Sequence, residues 1–375
     1  MELLLKEVIR PEEMEAFIRF PDKLYKGNPY YIPALHRSEK NTLSREHNPA
    51  FGHCNARYWL VYQEQKVAGR IAGIINHRYN QEQEGRYMRF GWMDFIEDHK
   101  VLELLLQALE NWAREENMQY IHGPLGFTSF DPSGVLVEGF EELPTAWGRY
   151  NYSYYDPMLE TAGYTKDKDW IEMAIKVPEE TNQREIKVAQ MVKKRYSLKH
   201  APLKTRIDIR QYSGEVFDMV NSVYKGLYCF STLSREQIEK LTESFVKILQ
   251  PDFVSVVLNE KDEAVAFGVV VPSLSKALKK AGGKLYPFGF LHIKRALHFN
   301  DTADMLLVGV KPEYQRKGAY ALVFEKIITS LQARKYKLVE TTRELEENER
   351  VQQLWEGYEK RQHKRARCYI KSLDY

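Results

Sequence analysis

The order of apolar runs in this chain occurs twice, and that repetition constrains the fold more than any other feature. In the first half, Leu3–Ile9 reads as a strand. Pro11 then opens a helix with Glu12 and Glu13 in its first turn. Tyr58–Tyr62 and Val67–Ile75 flank a polar Gln63–Lys66 turn, the pattern of a hairpin, and Met88–Phe95 follows as a third strand. Val101, Leu102, Leu105, Leu109 and Trp112 recur at helical spacing, which predicts an amphipathic helix over 98–116. Tyr120–His122 reads as a short strand and Tyr164–Val177 as a strand pair. The second half repeats the order: a strand at Arg206–Arg210, a helix at Glu215–Tyr228, and a second helix whose start carries the capping pair Ser234 and Gln237. The hairpin Phe253–Leu258 and Ala264–Val271, the strand Asp304–Val310, and a helix marked by Tyr320, Val323, Phe324, Ile327 and Leu331 come next. A strand at Leu338–Thr342, a helix at 345–357 and a last strand at Ala366–Leu373 close the chain. Matching elements lie roughly 195 to 215 residues apart, too long a period for a solenoid, so the chain reads as a duplicated domain. The halves are predicted at 1–178 and 201–375, joined by a linker helix within 179–200.

The bulk properties narrow the class. Hydrophobic residues at 43% and charged residues at 29% suit a globular chain able to bury a core without metal or disulfide. Fifty-five basic against 52 acidic residues leave a formal charge of +3, which argues against a dedicated nucleic-acid binder. Cys54, Cys229 and Cys368 are far apart and form no CxxC pair, so no metal site is expected and a reducing, cytoplasmic setting is the simpler expectation. No apolar run is long enough to span a bilayer, and on that ground no membrane partner is expected.

The sharpest local signal is Gln315-Arg316-Lys317-Gly318-Ala319-Tyr320, set between an apolar strand and an amphipathic helix. Backbone N–H groups at a helix start are unsatisfied and carry partial positive charge, so such a loop can hold a pyrophosphate. Glycine at the tightest point lets successive N–H groups converge, and Lys311, Arg316 and Lys317 add charge.

This loop, in an order of strand, hairpin, strand, helix, strand, helix and strand, resembles the GNAT superfamily of acyl-CoA-dependent N-acyltransferases. The stretch from Glu346-Glu347-Asn348 to Trp355-Glu356-Gly357-Tyr358 is similar to that superfamily's second signature, and Tyr154–Tyr164 matches it again in the first half. Nearly the whole chain resembles bacterial two-copy GNAT-like proteins, through Gly123–Phe140, Tyr150–Tyr155 and Lys364–Tyr369. The resemblance implies an α/β (α+β) fold of tandem GNAT-like domains, with mixed central sheets flanked by helices. It implies acetyl-CoA or another acyl-CoA as donor, no metal, and a small-molecule amine as acceptor. Gln315, Arg316, Lys317, Gly318, Ala319 and Tyr320 would hold the phosphates, a backbone N–H near Val308 and Val310 would bond the thioester oxygen, and Asn348 would contact the pantetheine arm or the strand edge. Tyr320 stands where Gly or Ala is usual, and Trp355 where many members carry an acidic tyrosine; an indole N–H is too weak an acid for that role. Glu340 is then the candidate base and Tyr358 the candidate acid.

The first half lacks the loop: Ile96-Glu97-Asp98-His99 puts two acids where a pyrophosphate would sit. Its long segment 123–155 is rich in Gly, Pro and aromatics, and Asp131, Glu138, Arg149, Asn151, Tyr154 and Tyr155 are candidate acceptor-binding residues. The acceptor site is expected between this segment and the second half. Two alternatives stand beside an N-acyltransferase: a catalytically silent acyl-CoA-binding protein, and a transferase using aminoacyl-tRNA like the Fem-type enzymes. For the latter, Lys193, Lys194, Arg195 and the Arg-rich tail would meet RNA.

Overall fold

The computed structural model describes residues 2–180 and 182–373. Met1, Asp374 and Tyr375, at the ends of the predicted halves, and Thr181, in the predicted linker, lie outside the described residues. The first half supplies strands β1 (Leu3–Glu7), β2 (Cys54–Gln63), β3 (Lys66–Asn76), β4 (Tyr87–Phe95), β5 (Tyr120–Gly123), β6 (Val135–Glu138) and β7 (Thr165–Lys176). Its helices are α1 (Pro11–Leu24), α2 (His36–Leu43), α3 (His77–Glu82), α4 (His99–Glu115) and α5 (Tyr155–Thr161). Helix α6 (Gln183–Arg195) links the halves. The second half supplies β8 (Lys199–His200), β9 (Val254–Leu258), β10 (Ala264–Pro272), β11 (Thr302–Val310), β12 (Leu338–Thr341), β13 (Glu344–Leu345) and β14 (Lys360–Ser372). Its helices are α7 (Arg206–Val223), α8 (Arg235–Val246), α9 (Ser275–Ala281), α10 (Gly289–His298), α11 (Pro312–Gln315), α12 (Tyr320–Ala333) and α13 (Glu349–Gln352).

The duplication is visible in the packing. Helix α4 turns Val101, Leu105, Leu109 and Trp112 onto β3. A side chain begun at Gly69 would meet Val101 Cγ1 at 2.8 Å, and one at Gly73 would meet Leu109 Cδ1 at 2.8 Å. In the second half α12 sits on β10 in the same way, with Val323 Cγ1 2.4 Å from where a Gly268 side chain would begin. In both halves glycine on the hairpin strand lets a helix approach the sheet closely.

The two expected sheets are one. Its order is β1-β2-β3-β4-β5-β14-β7-β12-β11-β10-β9-β8, with β6 on β14 and β13 on β7. The last strand of each half lies in the other half's side of the sheet. β14 pairs β5 through Tyr369–Ser372, while β7 pairs β12 through Ala174–Lys176. Between them, β7 and β14 run antiparallel from Thr165↔Ile370 to Ile175↔Lys360. Thus Tyr164–Val177, read from sequence as a strand pair, is one long strand whose partner lies some two hundred residues on.

Other local expectations also give way. Arg206–Arg210 begins helix α7: Thr205 Oγ1 accepts from the Asp208 N–H at 3.3 Å, and the Asp208 carboxylate accepts from Thr205 N–H at 2.7 Å. That reciprocal cap outweighs the short alternation of Ile207 and Ile209. The first strand of the second half is instead the two-residue β8. The helix expected at 345–357 shortens to α13 and a single 3₁₀ turn at Gln353–Trp355. The segments 27–52 and 273–302, between the repeated elements, hold α2, α9 and α10.

Because each half completes the other's sheet, residues 201–375 expressed alone should give no cooperative thermal transition. Co-expression with 1–200 should restore one; a folded, monomeric 201–375 fragment in thermal melting and size exclusion would contradict the strand exchange.

Candidate functional site

Strands β11 and β12 run parallel only from Thr302↔Leu338 to Met305↔Thr341. β11 continues alone to Val310, while the chain after β12 turns away to pair β7 through β13. A gap therefore opens in the sheet beside residues 306–310. Side chains cap the carbonyls along this edge: Thr342 Oγ1 donates to Leu306 O at 3.3 Å, the Tyr224 hydroxyl to Val308 O at 3.1 Å, and Gln315 Nε2 to Val310 O at 3.1 Å. In antiparallel pairing a residue's N–H and C=O point the same way, so the N–H groups of Val308 and Val310 face the gap, where β12 no longer reaches.

At one end of the gap lies the loop singled out by sequence. Gly318 has φ +75, a conformation open to glycine, and Ala319 caps α12. Lys317 holds its ammonium 4.2 Å from the Tyr314 ring centre. Arg316 is exposed, and Tyr320 is half-buried against the core beneath α12. Helix α6 lies across this loop. Val192 Cγ2 would be 3.4 Å from a side chain begun at Gly318, and the Tyr358 hydroxyl donates to Glu185 Oε2 at 3.0 Å. Asn348 sits at the N-terminal cap position of α13. Trp355 is buried, edge-on to Phe324, and its indole donates to Glu344 Oε1 at 3.0 Å.

At the other end a cavity of about 140 Å³ separates the 123–150 segment from the second half. Its wall carries Asp131, Arg89, Glu172, Arg343, Thr342 and Tyr224. Burial raises the Asp131 carboxyl above the usual range, although Thr128 donates to it through N–H at 2.9 Å and through its hydroxyl at 3.3 Å. Glu172 is equally enclosed, but Lys364 Nζ at 3.1 Å and Arg343 Nε at 3.4 Å overcome its burial and hold it ionised. Arg343 Nη1 is buried with no hydrogen-bond partner. Of the acceptor residues named from sequence, only Asp131 lines this cavity. Arg149 donates to both oxygens of Glu39 at 3.0 Å and lines a neighbouring cavity beside α2. Asn151 clamps the backbone of Leu136, and Glu138 accepts from Arg365 and Gln362 at the surface. Sequence reasoning did not single out Glu172, Arg343 or Tyr224. The one signal available was an acid inside the apolar run Trp170–Ile175.

Tyr154 and Tyr155 belong to the first half's equivalent gap, and there they close it. β4 pairs β5 only at Tyr87–Arg89 and then runs on to Phe95. Leu125 N–H donates to Phe90 O at 2.6 Å, and a side chain at Gly91 would meet Leu125 O at 2.3 Å. The Tyr155 hydroxyl accepts from Phe95 N–H at 3.0 Å, and the Tyr154 hydroxyl donates to Phe95 O at 2.6 Å. Asp98 caps α4, accepting from Lys100 N–H at 2.9 Å. The first half's edge is thus occupied by its own chain.

Glu340 stands beside Asp304 on the adjoining strand, lining a separate cavity under α9 and α10. Burial, then Lys364 and Glu172, act on its carboxyl, and the balance raises it. Asp304 is wholly buried with neither oxygen in a hydrogen bond of normal geometry, and burial with repulsion from Glu340 pushes its pKa up to about 8. Among the described residues, no cluster of His, Cys, Asp and Glu could hold a metal ion. Nor is any helix long and apolar enough to cross a membrane.

No protein-family model matches the chain. Protein YghO of Escherichia coli (strain K12) is 26% identical over 377 residues, which cover 99% of this chain and 95% of that protein. The Bacterial ceramide synthase of Caulobacter vibrioides (strain NA1000 / CB15N) is 28% identical over 312 residues, 81% of this chain and 79% of that protein. Among solved structures, a tandem GNAT protein from the clavulanic acid biosynthesis pathway superposes with a TM-score of 0.56 at 12% identity. The match covers 99% of this chain and 98% of that one.

Folded Asp304 keeps its proton to about pH 8, whereas an unfolded aspartate releases it near pH ~3.9. The unfolded state therefore binds fewer protons between these values, and this residue makes stability fall as pH rises through that window. Asp304→Asn should raise the denaturant midpoint at pH 7.5 and leave it nearly unchanged at pH 4. An equal shift at both pH values would mean that Asp304 is ionised in the fold.

Proposed function

We propose that this chain, which has the tandem GNAT fold, is an acyl-CoA-dependent N-acyltransferase working at the open edge of β11, with its amine acceptor in the cavity between the halves. The observation that carries the reading is the edge of β11 that β12 leaves unpaired: the start of α12 lies at one end of it, the N–H groups of Val308 and Val310 face out along it, and the cavity that holds Asp131, Glu172 and Arg343 adjoins it at Leu306 and Leu307. The loop fits a pyrophosphate through the φ of Gly318 and the charges of Arg316 and Lys317. Val308 or Val310 N–H would receive the developing negative charge on the thioester oxygen.

Asp131, held basic by burial, takes a proton from the acceptor ammonium. The freed amine nitrogen forms a bond to the thioester carbon, the carbon–sulfur bond breaks with its electron pair leaving on sulfur, and the second proton of that nitrogen passes to the departing sulfur, leaving a neutral amide and a free thiol. Tyr224, whose hydroxyl already sits on this edge, supplies a hydrogen-bond donor to the departing thiolate, and Arg343 Nη1 orients a polar group of the acceptor. Glu340 and Tyr358, nominated from sequence, do not line this cavity: Glu340 lines the one under α9 and α10, and Tyr358 donates its hydroxyl to Glu185 of α6. In this reading Glu340 acts through the Lys364–Glu172 pair, and Tyr358 anchors α6 at the donor side.

The donor in this reading is a hydrocarbon acyl chain rather than acetyl. A nearly wholly apolar cavity between α7, α8 and the sheet, lined by Val216, Phe217, Leu249 and Phe267, shares Phe245 and Leu307 with the acceptor cavity. It measures about 50 Å³ in this closed packing, so a long chain would part α7 from α8. One relative is named a ceramide synthase, and a ceramide is a long-chain fatty amide.

A second reading has its own support: α6 packed over the loop suits a protein that binds acyl-CoA without turning it over. Free thiol release from acetyl-, octanoyl- and palmitoyl-CoA, measured with short- and long-chain amines, separates the two. Turnover with the longer donors is expected; binding of all three without thiol release would favour the silent reading. Asp131→Asn should lower kcat by about 10²- to 10⁴-fold with donor affinity unchanged, as removal of a general base does. Gly318→Asp should abolish donor binding in calorimetry while the melting curve persists; retained affinity would reduce the loop to an ordinary turn.

A further inference from the structure

We infer that the α9–α10 insertion is a docking surface for an anionic lipid bilayer. Large apolar side chains exposed on the rest of the chain are scattered, but here Leu285, Tyr286, Phe288, Phe290, Leu291 and Phe299 are all exposed within fifteen residues. Tyr286 is 74%, Phe288 69% and Phe299 79% accessible, far beyond what a packed insertion needs. A concentration of exposed apolar side chains on one segment marks an interaction site, whereas single exposed apolar residues do not.

The charge of the same segment selects the partner. From Ala264 to Asn300 there is no Asp or Glu, while Lys276, Lys279, Lys280, Lys284, Lys294 and Arg295 stand within twenty residues. The chain as a whole is nearly neutral, so this is a local field. Lys279 reaches the Pro29 carbonyl, but no ion pair among the described residues holds the other five cations. On α10, Phe290 and Lys294 are one turn apart, as are Leu291 and Arg295; all four are exposed, so apolar and cationic groups share one outward face. Leu297 and Gly289 are buried and fasten the helix to the body.

Aromatics interleaved with lysines on a short surface helix suit the boundary between headgroups and acyl chains, where rings enter the apolar layer and cations meet phosphates. A protein partner would match the aromatics but gives no reason for the unpaired cations. RNA would match the cations but gives no reason for exposed Leu285 and Leu291. No run in the chain spans a bilayer, and that argued from sequence against a membrane partner. A helix lying in the interface needs no such run. This docking stands apart from the proposed reaction, and it would place the hydrocarbon cavity near a source of long-chain molecules.

The test uses the full chain and vesicles of phosphatidylcholine alone or mixed with phosphatidylglycerol. Flotation should carry the protein with the mixed vesicles only, and added salt should weaken the association. Lys284→Glu with Lys294→Glu and Arg295→Glu should reduce partitioning by at least about 100-fold, since each lysine or arginine near such a surface contributes roughly fivefold. Tyr286→Ser with Phe288→Ser and Phe290→Ser should reduce it comparably, while Ile207→Ser, an exposed apolar site elsewhere, should not. Melting curves of all variants check folding. Phe288→Trp, which keeps an aromatic in place, should bind and shift its emission to the blue on vesicles. The inference is overturned if the wild type ignores both vesicles, or if it binds both equally. It is equally overturned if the aromatic variant changes oligomeric state without changing flotation, which would make the patch a contact between copies.

Discussion

The antiparallel pairing of β7 with β14 is the constraint on which the rest of the structure depends. It joins the halves into one sheet, and it fixes where the gap beside β11 begins. Its buried polar pair sets the chemistry nearby: Glu172 on β7 and Lys364 on β14 lie on neighbouring strands at full burial, bonded at 3.1 Å, with Arg343 on the other side of the carboxylate. Removing one partner of such a pair leaves an uncompensated charge and costs about 3–5 kcal/mol. The turn after β6 is held against β14 as tightly. Gly139 has φ +86, and a side chain there would meet the His363 carbonyl at 2.2 Å.

Two copies of one topology reach opposite outcomes at the same place. Each has a strand that outruns its parallel neighbour, at Phe90–Phe95 and at Leu306–Val310. In the first copy the Gly123–Phe127 loop and the hydroxyls of Tyr154 and Tyr155 satisfy the edge, and an acid caps the following helix. In the second, side chains satisfy the carbonyls while the N–H groups of Val308 and Val310 still face the gap, and glycine with basic residues opens the following helix. The 123–150 segment that closes the first gap also forms one wall of the cavity beside the second. The first copy's edge is thus filled by its own chain, and its loop reaches the other copy's edge.

Several of these features were legible in the sequence because their causes are local. The helices α4 and α12 follow from apolar spacing, the hairpins from polar turns between β-rich runs, and the loop Gln315–Ala319 from glycine placed before a helix. The absence of an equivalent loop after Phe95 was equally plain from Glu97 and Asp98. Where local signals competed, the stronger decided: the reciprocal cap at Thr205 and Asp208 turned an expected strand into the start of α7.

What the sequence determined by itself is the duplicated order of elements, the helix faces, and the glycine loop that opens α12, since each depends on neighbours within a few residues. Only the tertiary structure decided which strands pair across the halves, because β7 and β14 carry signals that would serve equally well beside their own copies. That choice brings Asp131, Glu172, Arg343 and Tyr224 around one cavity from four distant segments, and it leaves Arg149, Asn151 and Glu138 in bonds of their own. It also decides that α6 lies over the loop, and that the aromatics of α10 remain outside the core. A hydrophobic residue in sequence is an invitation to bury; whether anything arrives to cover it is settled by the packing of the whole chain.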